Sequence, residues 1–357
     1  MKQRVAVLAA IAIGSITLAA CGSPAAKAHS TSTLPPLPPE VYGIVTLIGG
    51  GASAGTGASA ERIALTSVPP ELLPVTKVGT FPDAIAVAPN QKTAYVTSYQ
   101  SNTVTPINLA NGKAGKPIAA GRGPAGIAIT PNWRTAYVTD AGSSPIGDTV
   151  TPINLKTGHA EAPITVGAGP QAIAITPDGT MAFVTNAGAI VTGQTGSIGN
   201  TVTPINLSTN KALPPITVGN APVAIAISGA NAYVANSGSE SVSPVNISTR
   251  TTGAAIAVTG APQSIAIRAN TAWVALGHTS LSPGNSLVPI DLSTNTAGTP
   301  VAVRSSPSSV AISGNKAWVV CANSIVPVTL SRQPAAGKPV SVAGGPYAIA
   351  LYLVEPR

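Results

Sequence analysis

Side chains suited to catalysis or metal binding are few and far apart in this 357-residue sequence. It has three histidines (His29, His159, His278), two cysteines (Cys21, Cys321) and eleven acidic residues. No spacing typical of a zinc or haem site is present, and the glycines at 49–51 lack the Lys-Ser/Thr that ends a phosphate-binding loop. We therefore expect no cofactor and no metal site, and we favour a protein that is not an enzyme.

Polar and charged residues that could contact a ligand lie between short apolar runs or at their ends. The candidates for a binding face are Arg122, Asp140, Asp148, Asn186, Asn200, Asn236, Glu240, His278, Asn285 and Arg304. His278 is the histidine best placed to act as a general base, although a lone loop histidine is more often a solvated residue. Because exposed polar residues are the ordinary surface of any fold, the set indicates a face of the molecule and does not identify a catalytic residue.

The elements that must position these residues form a repeat. A proline stands three residues before each Ile-Ala-Ile-like run, and successive prolines are 39 to 52 residues apart. These anchor prolines are Pro82, Pro124, Pro170, Pro222, Pro262, Pro307 and Pro346. In the unit that starts at Pro170, strand a is predicted over residues 169–175, strand b over 182–186, strand c over 201–207 and strand d over 215–219. A period of this length with four strands per unit is typical of a β-propeller.

The strand b segments carry a recurring motif, seen as Tyr95-Val96-Thr97, Tyr137-Val138-Thr139 and Phe183-Val184-Thr185-Asn186. The units resemble the YVTN-family propeller repeat, also described as surface-layer-protein-like or YncE-like. The resemblance spans residues 41–357 and implies an all-β, seven-bladed β-propeller with four-stranded blades. Some YncE-like propellers are associated with single-stranded DNA, and lactonase-like propellers with hydrolysis, so these are the two functional alternatives that resemblance offers.

Ring closure follows from the strands at the two ends of the repeat. The run after Pro346 has no strand b, c or d behind it, and three unassigned runs precede Pro82. We expect residues 42–46, 62–66 and 73–79 to supply strands b, c and d of a seventh blade. One C-terminal and three N-terminal strands then close the ring and cover an otherwise open sheet edge.

The N-terminus has the features of an export signal. Lys2 and Arg4 precede an apolar run over residues 5–20, which is too short to span a bilayer as a helix. Leu18-Ala19-Ala20-Cys21 resembles the lipobox of bacterial lipoproteins, which implies cleavage before Cys21 and acylation of its thiol. The alternative is an ordinary signal peptide in which Cys21 is incidental. We expect a signal peptide over 1–20, a lipidated cysteine with a proline-rich tether over 21–40, and one propeller over 41–357.

These features predict an exported protein that is lipid-anchored to the outer face of the cell membrane. Without Lys2 and Arg4 the formal charge falls from +8 to +6, and the basic residues are scattered. A nucleic-acid partner is therefore not expected. We expect a monomer in which Cys321 is a buried thiol, because it lies within an apolar strand.

Two recurrent features have structural explanations. The strand b aromatics are Tyr95, Tyr137, Phe183, Tyr233, Trp273 and Trp318, and packing between blades explains one per blade better than a stacking surface for sugars or bases does. The strand c prolines are Pro106, Pro152, Pro204, Pro244, Pro289 and Pro327. They predict bulges or incomplete pairing with the outermost strand.

Loop lengths point to one face as the binding face. The long connections join strands b and c, at residues 49–60, 141–148, 187–200 and 277–285. Insertions on one face of a repeat array are typical of a binding face, although tolerated decoration is an equal alternative. We expect a binding or scaffold module for a protein or glycan of the envelope, with the tether attached on the opposite, short-turn face.

Overall fold

The described part of the chain forms seven antiparallel sheets. The computed structural model describes residues 40–48, 59–142, 146–188, 198–277 and 284–354. Within these ranges the regular structure is strand, apart from one 3-10 turn at Ser237–Ser239. The predicted all-β, seven-bladed propeller is confirmed. No helix in these ranges is long and apolar enough to cross a bilayer.

Six blades each use one consecutive stretch of chain, and their strands run from the ring axis outward in the order of the sequence. Blade 1 is β5 (Pro82–Val87), β6 (Thr93–Ser98), β7 (Thr103–Asn108) and β8 (Ile118–Ala119). Blade 2 is β9 (Pro124–Ile129), β10 (Thr135–Asp140), β11 (Thr149–Asn154), β12 (His159–Ala160) and β13 (Ile164–Thr165). Blade 3 is β14 (Pro170–Ile175), β15 (Met181–Gly188), β16 (Ile198–Asn206), β17 (Lys211–Ala212) and β18 (Ile216–Thr217).

The next three blades repeat this order. Blade 4 is β19 (Pro222–Ser228), β20 (Asn231–Asn236), β21 (Ser241–Asn246), β22 (Thr251–Thr252) and β23 (Ile256–Ala257). Blade 5 is β24 (Ala261–Arg268), β25 (Thr271–Gly277), β26 (Ser286–Asp291), β27 (Thr296–Ala297) and β28 (Val301–Ala302). Blade 6 is β29 (Ser309–Ser313), β30 (Lys316–Cys321), β31 (Ser324–Thr329), β32 (Ala335–Ala336) and β33 (Val340–Ser341).

The seventh blade joins the two ends of the chain as predicted. Its strands are β34 (Pro346–Val354), β1 (Glu40–Leu47), β2 (Ser59–Ala64), β3 (Glu71–Leu72) and β4 (Thr76–Lys77). β34 pairs with β1 from Val354 opposite Glu40 to Pro346 opposite Leu47. The innermost strands contact their neighbours around the whole ring, and β34 meets β5 where the ring closes.

The predicted start of strand c in the seventh blade lies three residues after the observed start. The strand occupies Ser59–Ala64, not 62–66, because two charged residues lie inside it. Glu61 and Arg62 are both only 8% exposed. Arg62 takes the register of the strand c prolines and donates a hydrogen bond from Nη1 to the Leu109 carbonyl in blade 1 (2.9 Å). A buried guanidinium thus links blade 7 to blade 1.

The strand b aromatics pack between blades, as predicted. Phe183 of blade 3 packs against Ala232, Val234 and Val245 of blade 4. Trp318 packs in the same way against the seventh blade, beside Val45 and Ile63. These side chains therefore form the core between sheets, where aromatic burial contributes most to stability.

The strand c prolines interrupt the outermost strand, which also confirms the prediction. In blade 2, β12 pairs with Ile153 and Asn154 and β13 with Thr149 and Val150, which leaves Pro152 outside both ladders. The Pro152 carbonyl accepts from the Glu161 amide at 2.8 Å. A missing amide hydrogen at this position therefore leaves no ladder bond unpaired.

Candidate functional site

A cavity lies on the ring axis at the face where strand a begins. It has a volume of about 700 Å³. Its wall is built from the residue that directly follows each anchor proline. These seven positions, the axial ring, are Asp83, Ala125, Gln171, Val223, Gln263, Ser308 and Tyr347. Tyr99, Ser237 and Gly277, from the ends of strand b and the connections that follow, also line the cavity, so it opens on the long-loop face.

A bulge after the anchor proline presents each ring residue to the axis. The register between strands a and b shifts between Pro82 and Ile85 in blade 1 and between Pro170 and Ile173 in blade 3. The buried motif threonine holds this bulge. Thr139 Oγ1 accepts from the Gly126 amide (2.7 Å) and donates to the Gln171 carbonyl of the next blade (2.9 Å).

Two blades replace this threonine with a different hydroxyl. In blades 5 and 6 the strand b positions are Ala275 and Val320, and a serine occupies strand a instead. Ser264 Oγ accepts from the Val310 amide (3.2 Å) and Ser309 Oγ from the Ile349 amide (3.3 Å). The hydroxyl position changes, but the link between neighbouring innermost strands is kept.

Asp83 is the acidic residue of the axial ring. Burial raises the pKa of its carboxyl from 3.8 to about 7. Among the described residues, no cation and no hydrogen-bond donor offsets this cost at the carboxylate. Its charge, together with burial, raises the pKa of the Tyr347 phenol on the neighbouring innermost strand.

Neutral polar groups cover much of the remaining wall. Gln263 Nε2 donates to Ser237 Oγ (3.2 Å), and Ser308 Oγ donates to the Tyr347 carbonyl (2.6 Å). Gln171 contributes a second amide. The cavity thus combines one carboxylate and two tyrosines with neutral hydrogen-bonding groups, a composition suited to orienting a small ligand.

Three of the predicted binding residues are buried inside their blades. Asp140, Asn186 and Asn236 end strand b and are at most 1% exposed. Asn186 Nδ2 donates to the Thr201 and Thr203 hydroxyls (3.0 and 2.9 Å). Asp140 accepts from Thr149 and Thr151 (2.9 and 2.7 Å), and burial raises its pKa to about 6 despite these bonds. Their side chains tie strand b to strand c and do not reach the cavity.

Four further candidates share one repeat position. Asp148, Glu240 and Asn285 directly precede strand c, and Asn200 is the equivalent residue inside β16, which starts two residues earlier. Their backbone carbonyls accept the amide that follows strand d, as in the bond from the Val218 amide to the Asn200 carbonyl (2.8 Å). The side chains of Asp148, Asn200 and Asn285 are exposed on the long-loop face, and Glu240 is half-buried. None of the four lies in the cavity wall.

The remaining predicted residues divide between exposed and undescribed positions. Arg122 and Arg304 are exposed in the connections that precede strand a. Cys21 and His278 lie outside the described residues, as do residues 49–58, 143–145, 189–197 and 278–283 of the long connections. Cys321 is a free thiol, 1% exposed, and burial raises its pKa to about 11, as expected for a buried thiol. The described residues contain no group of three or more His, Cys, Asp or Glu able to hold a metal.

Sequence reasoning missed Asp83 and Tyr347. The signal was available, because both directly follow an anchor proline, where Asp83 is the one acidic and Tyr347 the one aromatic residue of the seven. The predicted binding residues were instead chosen mainly from the long connections and the strand ends beside them. The register of the repeat, not loop length, identifies the side chains that face the axis.

Comparison with known proteins supports the fold alone. No family model matches the chain, and no curated protein matches it. Among solved structures, the chain is similar to Kuenenia stuttgartiensis hydrazine synthase, with a TM-score of 0.63 and 15% identity over 78% of this chain and 97% of that one. It is also similar to a functionally unknown protein from Desulfotomaculum acetoxidans, with a TM-score of 0.68 and 17% identity over 88% and 99% of the two chains.

Proposed function

We propose that this protein is a binding module that takes a small molecule, or the end of a larger envelope component, into its axial cavity. The observation that carries the proposal is the axial ring itself. Seven residues at one repeat position enclose about 700 Å³ and include a carboxylate and a phenol at adjacent positions. This volume lies in the range of small-molecule sites.

Binding is favoured over hydrolysis by the composition of the cavity wall. General acid–base catalysis commonly uses paired groups in mutual reach, such as two carboxylates or a nucleophile with a histidine. The described wall gives Asp83 a tyrosine neighbour and no second acid or histidine. A lone carboxylate also repels phosphate, so the channel is a poor site for a nucleic-acid backbone.

A channel-blocking variant tests the binding function. Val223→Trp places an indole in the cavity, and Ile198→Trp, at a 59% exposed position near the same face, is the matched control. Each protein is incubated with a small-molecule extract of bacterial cells, desalted and analysed by native mass spectrometry. We expect wild type and Ile198→Trp to retain the same molecules and Val223→Trp to lose them.

Retention by Val223→Trp equal to that of wild type, or no retention by wild type, would overturn the proposal. Circular dichroism and the melting temperature check the fold of the blocked variant. Gln171→Trp, which narrows the cavity from another blade, replaces it if Val223→Trp does not fold.

We further propose that the module is exported and lipid-anchored through Cys21, with the short-turn face toward the membrane. The proposal rests on the Leu18-Ala19-Ala20-Cys21 motif and on the start of β1 at that face. Exposed basic residues of the short turns are Lys92, Lys113, Arg134, Lys156, Lys211, Arg250, Arg268, Lys316 and Arg332. Described acids near these turns are Glu40, Glu71, Glu161, Asp178 and Asp291, so positive charge prevails and favours an anionic surface.

Trp133 adds an apolar contact on the same face. It is 53% exposed in the turn between β9 and β10, beside Arg134. An exposed tryptophan next to basic residues is typical of contact with a membrane interface.

Metabolic labelling with a fatty acid tests the anchor. Expressed as the full chain in a bacterial host, Cys21→Ser should lose the label and leave the membrane fraction. Cys321→Ser, the matched control, should keep both. A labelled, membrane-bound Cys21→Ser protein would contradict the anchoring proposal.

A further inference from the structure

We propose that the ligand of the axial cavity is an organic ammonium cation whose charged head lies against Asp83 and Tyr347. The inference rests on the binding function proposed above and adds the chemical class of the ligand. It follows from the uneven distribution of charge and aromatic surface around the axial ring.

The described cavity wall carries negative charge at a single residue, Asp83, and no positive charge. Asp83 on β5 is the described wall residue that ionises near neutral pH, and the other titratable wall groups are the phenols of Tyr99 and Tyr347. No described cation faces the Asp83 carboxylate. Asp83 is partly exposed to the cavity, and a bound cation would offset the cost of ionising a carboxylate there without a counter-charge.

Aromatic surface is concentrated on the same side of the ring. Tyr347 lies on the strand next to β5, and Tyr99 directly follows strand b of the Asp83 blade. The Tyr99 ring packs edge-on against Phe81, at 6.1 Å between centroids. Phe81 adopts φ of 55° two residues before Asp83, a conformation that costs a bulky residue energy. An ammonium group that meets both a carboxylate and aromatic rings gains ion pairing and cation–π attraction.

The opposite side of the ring suits a neutral ligand body. In a seven-membered ring, blades 4 and 5 lie across from blade 1, and they contribute Val223 and Gln263. Gln171 and Ser264 add hydrogen-bonding groups near them. The wall therefore favours an amphiphilic molecule with one cationic end and a body that carries few charges.

A metal ion fits this wall less well than an organic cation. Calcium binds six to eight oxygens and usually several carboxylates, and magnesium requires a near-octahedral set. The described wall offers a single carboxylate, and the aromatic surface beside it contributes nothing to a hard cation's coordination. Calcium is therefore included among the probes as the competing class of cation.

Isothermal titration calorimetry with charged ligands and their neutral isosteres tests the proposal. The probes are choline against 3,3-dimethyl-1-butanol, n-butylamine against n-butanol, and calcium chloride. We expect wild type to bind at least one of the two ammonium probes at least tenfold more tightly than its neutral partner. Asp83→Asn should lose at least tenfold in that affinity, whereas Asp148→Asn, at an exposed acid on the same face, should change it by less than twofold.

The pH dependence supplies a second readout. Binding of the ammonium probe should strengthen from pH 6 to pH 8 as Asp83 ionises, and this dependence should vanish in Asp83→Asn. Equal affinity for charged and neutral probes, binding of calcium alone, or an unchanged affinity in Asp83→Asn would overturn the inference. If native mass spectrometry shows Val223→Trp-sensitive retention of anionic or neutral molecules only, the binding function stands and the ammonium inference falls.

Discussion

Asp83→Asn should stabilise the folded protein, by an amount that grows as the pH rises from about 4 and is complete above about pH 7. Burial raises the pKa of this carboxyl from 3.8 to about 7. Below pH 3.8 the carboxyl is protonated in both the folded and the unfolded chain, so ionisation carries no penalty. As pH rises toward 7 the unfolded chain ionises first, and the folded state loses stability until its own carboxyl ionises.

The size of the effect follows from the pKa difference. Each pKa unit corresponds to about 1.4 kcal/mol, so a difference of about three units gives roughly 4 kcal/mol above pH 7. This is an upper limit, because water in the open cavity solvates the carboxylate. Asparagine keeps the shape of the side chain and cannot ionise, so the variant avoids the penalty.

Urea unfolding at pH 3.5 and pH 8 measures the difference between wild type and Asp83→Asn. We expect a higher midpoint for the variant at pH 8, worth up to about 4 kcal/mol, and coincident curves at pH 3.5. Asp148→Asn, at an exposed position, should stay within about 0.5 kcal/mol of wild type at both pH values. A variant that is equally or less stable than wild type at pH 8 would refute the assignment of Asp83 as a partly buried acid without a counter-charge.

Three further changes probe the frame around the cavity. Asp140→Asn should stabilise the protein by at most about 3 kcal/mol above pH 6 and have no effect below pH 4, because burial raises the Asp140 pKa to about 6. Urea unfolding measures both values, and an equal effect at both pH values would contradict this expectation. Thr139→Val should lower the free energy of unfolding by about 1–3 kcal/mol, because the Gly126 amide and the Gln171 carbonyl lose their hydrogen-bond partner. The control Thr157→Val, at an exposed position, should lower it by less than about 0.5 kcal/mol. Equal losses in the two variants would argue against the threonine link. Deletion of residues 346–357 should give an insoluble or unfolded protein, because it removes buried Ile349 and Tyr352 and exposes the edge of β1. A soluble product with an unchanged melting temperature would contradict the role of β34 in ring closure.

The fold was predictable because each blade repeats the same physical solution. The anchor proline, the β-branched strand b and the Ile-Ala-Ile run recur in register, so a period read from the sequence was sufficient to count blades. The bounds of β2 were not predictable in this way. Charged residues inside a short apolar strand argue for a loop, and the sequence of β2 does not reveal that the Leu109 carbonyl of the next blade accepts from the buried Arg62 guanidinium.

Burial of the polar strand ends could not be predicted from residue type. An asparagine at the end of a strand reads as a surface residue, yet Asn186 and Asn236 each meet two hydroxyls of the adjacent strand. Those hydroxyls lie on strand c, between 5 and 17 residues further along the chain, and the register of strands b and c brings them to the asparagine. The pairing of Thr201 with Asn186 makes this contact visible, and the sequence alone does not.

The repeat keeps the main-chain hydrogen bonds near each anchor proline, whereas the side chain that follows the proline differs between blades. At the residue after the anchor proline the backbone is constrained in several blades by the same hydroxyl bond, from Thr97 to the Ala125 carbonyl (2.7 Å) and from Thr139 to the Gln171 carbonyl (2.9 Å). Because those bonds use main-chain atoms, the side chain at this position is free to vary without loss of the fold. It does vary, and one blade carries a partly buried carboxylate with no counter-charge among the described wall residues. A residue that costs stability at a position where alanine or valine is tolerated in other blades is better explained by a ligand than by the architecture.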